Sequence, residues 1–219
     1  MSSEIINSDC LPALKKYPND YFSASSFSPP YDVGNTNCFD IRKDFQGYGR
    51  FIEYAKEINR VSKLWGINIT QKVIAKKNST YIEHFILTLE ELGIELFDRW
   101  IIYKPFSMPK RGNRALTSYE FVLLFTKDSS SIIKHRDGNT VIKVNRHHPL
   151  FVDGDKTDMP YFEEIPRQIF SMYGFGIVLD PFCGTGTSLI EAKKLGLEYV
   201  GIELDPKIYE ICKKRVGYI

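Results

Sequence analysis

Apolar positions recur along this chain at two spacings, and the clearest run lies near its end. Ile177-Val-Leu-Asp180 is a short apolar segment after Gly174 and Gly176, suited to a buried strand. The glycine loop Cys183-Gly-Thr-Gly-Thr187 follows, and Leu189, Ile190 and Ala192 begin a helix that ends near Gly196. Tyr199–Glu203 reads as a second strand. Asp205-Pro206 then opens a helix over 206–216, with Ile208, Ile211 and Cys212 on one face. Strand, glycine turn, helix, strand, helix is half of a doubly wound α/β sheet. Such a fragment cannot cover both faces of its strands, so earlier residues must complete the sheet. Glu4–Asn7 and Tyr21–Ala24 are strand candidates with a helical Cys10–Tyr17 between them. Residues 50–62 predict a helix with Phe51, Ile52, Ala55 and Ile58 inward, 68–75 a strand, and 80–92 a helix with Ile82, Phe85, Ile86 and Leu89 inward. Trp100–Tyr103 and Glu120–Phe125 predict an antiparallel pair, joined by the basic Lys104–Ser118 loop. Residues 127–159 are polar and irregular, and 161–173 predict a helix.

Composition narrows the class. The chain has 219 residues, 43% hydrophobic and 26% charged, which suits a single globular domain over 1–219. Its net charge of +2 names no partner, but Arg99–His148 carries ten Lys/Arg against three Asp/Glu. A local basic surface is one footprint of a polyanion binder, and a solvated lysine-rich loop would look the same. Cys10, Cys38, Cys183 and Cys212 form no C-x-x-C pair, and the histidines lack metal spacing. Free thiols, no signal region after Met1 and no long apolar run lead us to expect a cytoplasmic chain without a metal or a membrane span.

Two segments carry chemistry. Asp180-Pro-Phe-Cys-Gly-Thr-Gly-Thr187 puts glycines where backbone can approach a ligand at a strand's carboxyl end. It lacks the G-K-[ST] of a phosphate loop and the third glycine of the dinucleotide fingerprint. Glu203 closes the next strand, where a carboxylate can accept ribose hydroxyls. A tight turn alone would explain Gly184 and Gly186; together with Asp180 and Glu203 they favour an adenosine-type ligand. The second segment is Ser28-Pro-Pro-Tyr31. Its prolines fix φ and remove amide donors, leaving carbonyls as acceptors. The Ser28 hydroxyl and Pro29 carbonyl could each accept from an amino group, with Tyr31 stacked on a planar ring. A rigid loop with a packed tyrosine is the alternative.

Together these segments resemble the amino-methyltransferases of DNA, the N4-cytosine and N6-adenine group, in the permuted order with the catalytic motif first and the cofactor motif last. Asn7-Ser-Asp-Cys-Leu-Pro-Ala-Leu14, Trp100–Pro105, Ser118–Lys127 and Pro160–Pro166 resemble further family segments, so the resemblance spans nearly the whole chain. It implies a circularly permuted, Rossmann-like S-adenosylmethionine-dependent methyltransferase fold, an α/β doubly wound mixed sheet with an antiparallel strand pair. Asp180, Phe182, Gly184, Gly186 and Thr187 would surround the methionine part of S-adenosylmethionine, and Glu203 would hold the ribose. Asp9 and Cys10 would lie at the adenine with Leu204 near its other face; Phe162 would touch the cofactor. Ser28, Pro29, Pro30 and Tyr31 would hold the target base. About 105–159 would form basic loops and a target-recognition insert, short for the family, and 66–76 match its central strand poorly. Permutation requires both chain ends on one side of the sheet and close together.

The substrate implied is DNA, with the base flipped out of the stack. Lys104, Lys110, Arg111 and Arg114, then Lys134, Arg136, Lys143, Arg146, His147 and His148, are the candidate phosphate contacts. Serine before Pro-Pro-Tyr is commoner among the family's N4-cytosine enzymes, so cytosine is favoured over adenine. A silent DNA-binding subunit, a nicotinamide oxidoreductase, and RNA or protein amide substrates are the competing readings. A homodimer and a restriction-modification partner are both compatible with the sequence.

Overall fold

A computed structural model describes residues 3–29, 45–70, 73–74, 77–78, 80–105, 119–132, 140–144, 150–152, 155–157 and 161–217. The chain begins with β1 (Glu4–Asn7), α1 (Cys10–Leu14), β2 (Phe22–Phe27), α2 (Phe45–Val61) and β3 (Ser62–Ile69). A small hairpin, β4 (Val73–Ile74) and β5 (Lys77–Asn78), leads to α3 (Tyr81–Glu91), β6 (Leu96–Tyr103) and β7 (Tyr119–Thr126). Short strands β8 (Val141–Lys143), β9 (Leu150–Val152) and β10 (Asp155–Thr157) precede α4 (Glu164–Ser171). The chain closes with β11 (Ile177–Asp180), α5 (Thr187–Lys194), β12 (Glu198–Glu203) and α6 (Pro206–Gly217).

Eight strands form one mixed sheet in the order β1-β12-β11-β2-β3-β7-β6-β8. The first five run parallel, β7 is antiparallel to β3 and β6, and β8 lies parallel to β6 at the edge. The expected antiparallel pair is therefore present, with Tyr103 opposite Tyr119 and Ile101 opposite Phe121.

The sheet is covered on both sides because its central strands bury both faces. On one side α1, α2 and α3 enclose Phe22, Phe27, Trp65 and Phe125. The Trp65 ring stacks 4.2 Å from Phe125, and its Nε1–H donates to Asn59 Oδ1 at 3.1 Å, so the indole is both packed and satisfied. On the other side α4 packs Ile165, Ile169 and Phe170 on Ala24, Leu64 and Leu124. Gly66 allows that approach, since a Cβ there would lie 2.5 Å from Ile169 Cδ1 and 2.8 Å from Leu124 Cδ2. A third cluster joins α5 and α6 through Leu189, Ile190, Cys212 and Val216.

One strand expectation is corrected. The central strand is Ser62–Ile69, and the expected 68–75 segment divides between its last two residues and the separate β4. Seven of its eight residues are buried, so no in–out alternation marked it, and α2 runs into it without a turn residue between. The chain-end expectation holds: Ser3 and Gly217 line one surface depression, and the Tyr199 N–H donates to Ser3 Oγ at 3.3 Å.

Candidate active site

Strand direction gathers the candidate residues on one edge. Strands β1, β12, β11 and β2 are parallel neighbours, so Glu203 and Asp180 at the carboxyl ends of β12 and β11, and Asp9 and Ser28 just beyond those of β1 and β2, share one edge of the sheet. Connections run from β11 to β12 in one direction and from β2 to β3 in the other. The order therefore reverses between β11 and β2, where open α/β sheets form their ligand crevice.

The glycine loop is built as a scaffold. Asp180 is buried, and its carboxylate accepts the Phe182 N–H at 3.0 Å and the Ser188 hydroxyl. Burial pushes its pKa up to about 7, against the opposing pull of those hydrogen bonds. The Cys183 N–H donates to the Ile202 carbonyl at 2.9 Å, tying the loop to β12. Arg215 of α6 donates to the Thr185 carbonyl at 2.5 Å and to its Oγ1 at 2.6 Å, fixing the outer side of the loop. Thr187 is the first residue of α5, whose N-cap is Gly186.

The two glycines serve different ends. Gly186 has φ +86°, and a Cβ on it would lie 2.7 Å from Cys212 Sγ and 2.8 Å from Val216 Cγ2, so it faces α6. Gly184 has φ +52°, and a Cβ there would meet only the Phe182 carbonyl, at 4.0 Å. The open side of the loop is thus at Gly184, and that is where a ligand would approach the backbone.

Glu203 is held ready as an acceptor. Its Oε2 accepts the Gly184 N–H at 3.0 Å and its Oε1 the Asp205 N–H at 2.8 Å. Each oxygen has a second lone pair for a hydroxyl donor. Burial raises its pKa, opposed by these backbone donors. Leu204 beside it is 58% exposed. Asn7, from the far end of the chain, donates to the Glu203 carbonyl at 2.8 Å and the Leu204 carbonyl at 3.1 Å.

Asp9 N-caps α1 through its bond from the Leu11 N–H at 2.9 Å. It also accepts from Arg50 at 3.0 Å and from the Tyr54 hydroxyl at 3.1 and 3.2 Å to its two oxygens. Cys10 is buried in the core beside it, where desolvation holds the thiol protonated. The Phe182 ring lies 5.6 Å from Phe27 and 5.5 Å from Tyr54. Cys183 is buried in the loop, and its bond with Cys212, Sγ to Sγ 3.8 Å, and burial both raise its pKa well above the ordinary thiol value.

Ser28 is half-buried and Pro29 buried directly after β2; Pro30 and Tyr31 lie outside the described residues. Ser26, two residues before Ser28, shares a 2.7 Å hydrogen bond with the Tyr161 hydroxyl, which ties this edge to the segment before α4. Phe162 packs on the α4-side core.

The basic candidates divide. Lys104 is withdrawn as a phosphate contact: it is 6% exposed, and its Nζ lies 2.6 Å from the Glu120 carboxylate. A lysine on an exposed edge of a strand pair would be free, but here it is buried and paired. Lys143 stands exposed on the edge strand β8. Lys110, Arg111, Arg114, Lys134, Arg136, Arg146, His147 and His148 lie outside the described residues. Asn7, Tyr54, Arg50, Ser188 and Arg215 were missed from sequence. Only Tyr54 left a signal, as a polar-tipped aromatic on the inward face of α2.

No helix among the described residues is long and apolar enough to cross a membrane. The family described as DNA methylase (N6_N4_Mtase) matches residues 171–214, from the end of α4 through the glycine loop and β12 into α6. The Type II beta methyltransferase M.BslI of Bacillus sp. (strain NEB-606) is 24% identical over 97% of this chain and 27% of its own length. M.HinfI of Haemophilus influenzae, a Type II methyltransferase, is 25% identical over 98% of the chain and 68% of its own length. The chain thus spans about a quarter of M.BslI, and 35% of M.MwoI of Methanothermobacter wolfeii. Among solved structures, the cytosine-N4-specific PvuII DNA methyltransferase superposes with a TM-score of 0.79 at 17% identity, covering 98% of this chain and 86% of that one. The fold is thus the Rossmann-like methyltransferase fold, circularly permuted, with the β2 loop before the glycine loop in the chain. Residues 171–214 thus match the DNA methylase family, and the chain as a whole is similar in sequence to Type II methyltransferases and shares its fold with a DNA methyltransferase.

Proposed function

We propose that this chain transfers a methyl group from S-adenosylmethionine to the exocyclic amino group of a DNA base, with N4 of cytosine as the acceptor. The observation that carries this reading is the parallel pairing of β2 with β11, Ser25 opposite Leu179. It makes Ser28-Pro29 and the glycine loop leave the sheet side by side. The open face at Gly184 and the anchored carboxylate of Glu203 suit an adenosyl ligand.

Bound there, the cofactor supplies an electrophilic sulfonium methyl. The chain's own task is to make a poor nucleophile attack. An aromatic amine delocalises its lone pair into the ring. The Ser28 hydroxyl and the Pro29 carbonyl accept its two N–H bonds and favour a pyramidal nitrogen whose lone pair points out of the ring plane. This is positioning and electrostatic catalysis. After transfer the nitrogen carries one proton too many, is acidic, and releases it to water. Tyr31 stacks on the flipped base, and Lys143 with the cations outside the described residues holds the phosphates. DNA is the partner, in the context of a restriction-modification system.

Mass spectrometry of nucleosides from mixed-sequence DNA treated with protein and S-adenosylmethionine tests the reading. N4-methyldeoxycytidine is expected. N6-methyldeoxyadenosine would keep the amino-methyltransferase and overturn the base. Absence of both, or binding of NAD in preference to S-adenosylmethionine, would overturn the enzyme.

A further inference from the structure

We infer that Tyr54 of α2 is the positioning residue that makes Asp9 an adenine-selective acceptor, and so sets which purine the cofactor cleft admits. The inference rests on the adenosyl ligand proposed above.

Tyr54 is 3% exposed, yet its hydroxyl reaches both oxygens of Asp9, at 3.1 and 3.2 Å. Its ring edge meets Phe182 of the glycine loop at 5.5 Å and 76°. One side chain therefore touches the β1 side of the crevice and the β11 side at once. Arg50, one helical turn earlier, binds Asp9 Oδ2 at 3.0 Å and stands 5.9 Å from the centre of the Tyr54 ring. A carboxylate offers about four acceptor positions. The Leu11 N–H takes one, Arg50 another, and the single Tyr54 proton a third. One position is left for a ligand donor, and the three bonds stop the carboxylate from rotating about its Cβ–Cγ axis.

A carboxylate so fixed can accept from a 6-amino group but can only repel a 6-oxo group. Discrimination between adenine and hypoxanthine therefore depends on Asp9 being unable to turn away. Tyr54→Phe removes the hydroxyl and keeps the ring on Phe182.

Calorimetric titration with S-adenosylhomocysteine and with S-inosylhomocysteine reads the effect. Wild type should bind the adenosyl compound at least about 30-fold more tightly, on the scale of one charge-assisted hydrogen bond. Tyr54→Phe should weaken the adenosyl compound about tenfold and the inosyl compound less than twofold. Asp9→Asn should abolish the preference, and adding Tyr54→Phe to it should change nothing further. Equal weakening of both ligands in Tyr54→Phe would show simple loosening of the cleft and overturn the inference. So would an effect that persists on the Asp9→Asn background. A wild type that binds both compounds equally would remove Asp9 from the adenine. A wild type that binds neither would instead sink the proposed cofactor.

Discussion

Alanine at the two loop glycines should separate packing from ligand contact. Both residues have positive φ, so either substitution forces an L side chain into the left-handed region at about 1–2 kcal/mol. At Gly184 little else happens, because the nearest atom to the new methyl is 4.0 Å away. At Gly186 the methyl falls 2.7 Å from Cys212 Sγ and 2.8 Å from Val216 Cγ2, both buried between α5 and α6. Overpacking there adds about 1–3 kcal/mol. Gly186→Ala should therefore lose about 2–5 kcal/mol in total, a large share of a domain stability of about 5–15 kcal/mol. The assay is urea unfolding, with and without S-adenosylhomocysteine. At about 100 times its Kd the ligand should add about 2.7 kcal/mol to wild type. Gly184→Ala should keep most of its own stability but lose at least about 1.4 kcal/mol of that increment, a tenfold weaker Kd. Gly186→Ala should keep the increment on a lower base, and Cys212→Ala should be less harmful in its background than alone. Equal losses of intrinsic stability in the two variants, or loss of the ligand increment in Gly186→Ala alone, would refute the division of roles.

Three further outcomes follow from the site. Ser28→Ala should lower kcat about 100-fold, the scale of one preorganised hydrogen bond to a reacting group, and change the Kd of S-adenosylhomocysteine less than about threefold; equal loss of both would contradict the role proposed for Ser28 at the base. Asp180 has a folded pKa of about 7, above its unfolded value, so its contribution is fully present below about pH 4 and is lost as pH rises through about 7. Wild-type stability relative to Asp180→Asn should thus fall across that window by up to the order of 4 kcal/mol, and parallel pH profiles in chemical denaturation would show an ordinary carboxylate instead. Lys104→Met should destabilise by about 3–5 kcal/mol by leaving Glu120 buried without its cation, and Lys104→Met/Glu120→Met should recover much of that; Lys143→Ala should leave stability intact and reduce the salt slope of DNA binding by about one, and the reverse pattern would return Lys104 to the DNA surface.

Legibility in the sequence followed burial. From Ile177 onward the chain alternates glycine turns with short apolar runs, and its strands and helices fell within a residue or two of where the pattern placed them, whereas β9 and β10 lie in the stretch expected to be irregular. There the turn chemistry and the hydrophobic period agree, so local sequence determines local structure. The central strand β3 failed for the opposite reason. Flanked by β2 and β7 and covered by helices on both sides, it is buried at seven of its eight positions, polar Ser62 and Asn68 included, and carries no period of its own. Lys104 failed because charge in a sequence says nothing about the carboxylate it meets after folding, here Glu120 on the neighbouring strand.

The candidate site was legible in the residues at its strand ends and turns. Gly184, Gly186, Asp180 and Glu203 announce themselves because a turn at a strand end needs those residue types. The groups that hold them do not: Asn7 braces the carbonyl of a residue 196 positions away, and Arg215 reaches back 30 residues to Thr185. Each of these is a side-chain-to-backbone bond whose partner is fixed by sheet order, and sheet order is a property of the whole chain. Because β1 inserts beside β12, residues from the first turn of the chain complete a crevice whose floor comes from the last. Any reordering of the strands that kept every local element would leave Glu203 without Asn7 and Asp9 far from Phe182. The crevice is therefore a consequence of topology, and of local motifs only to the extent that topology brings them together.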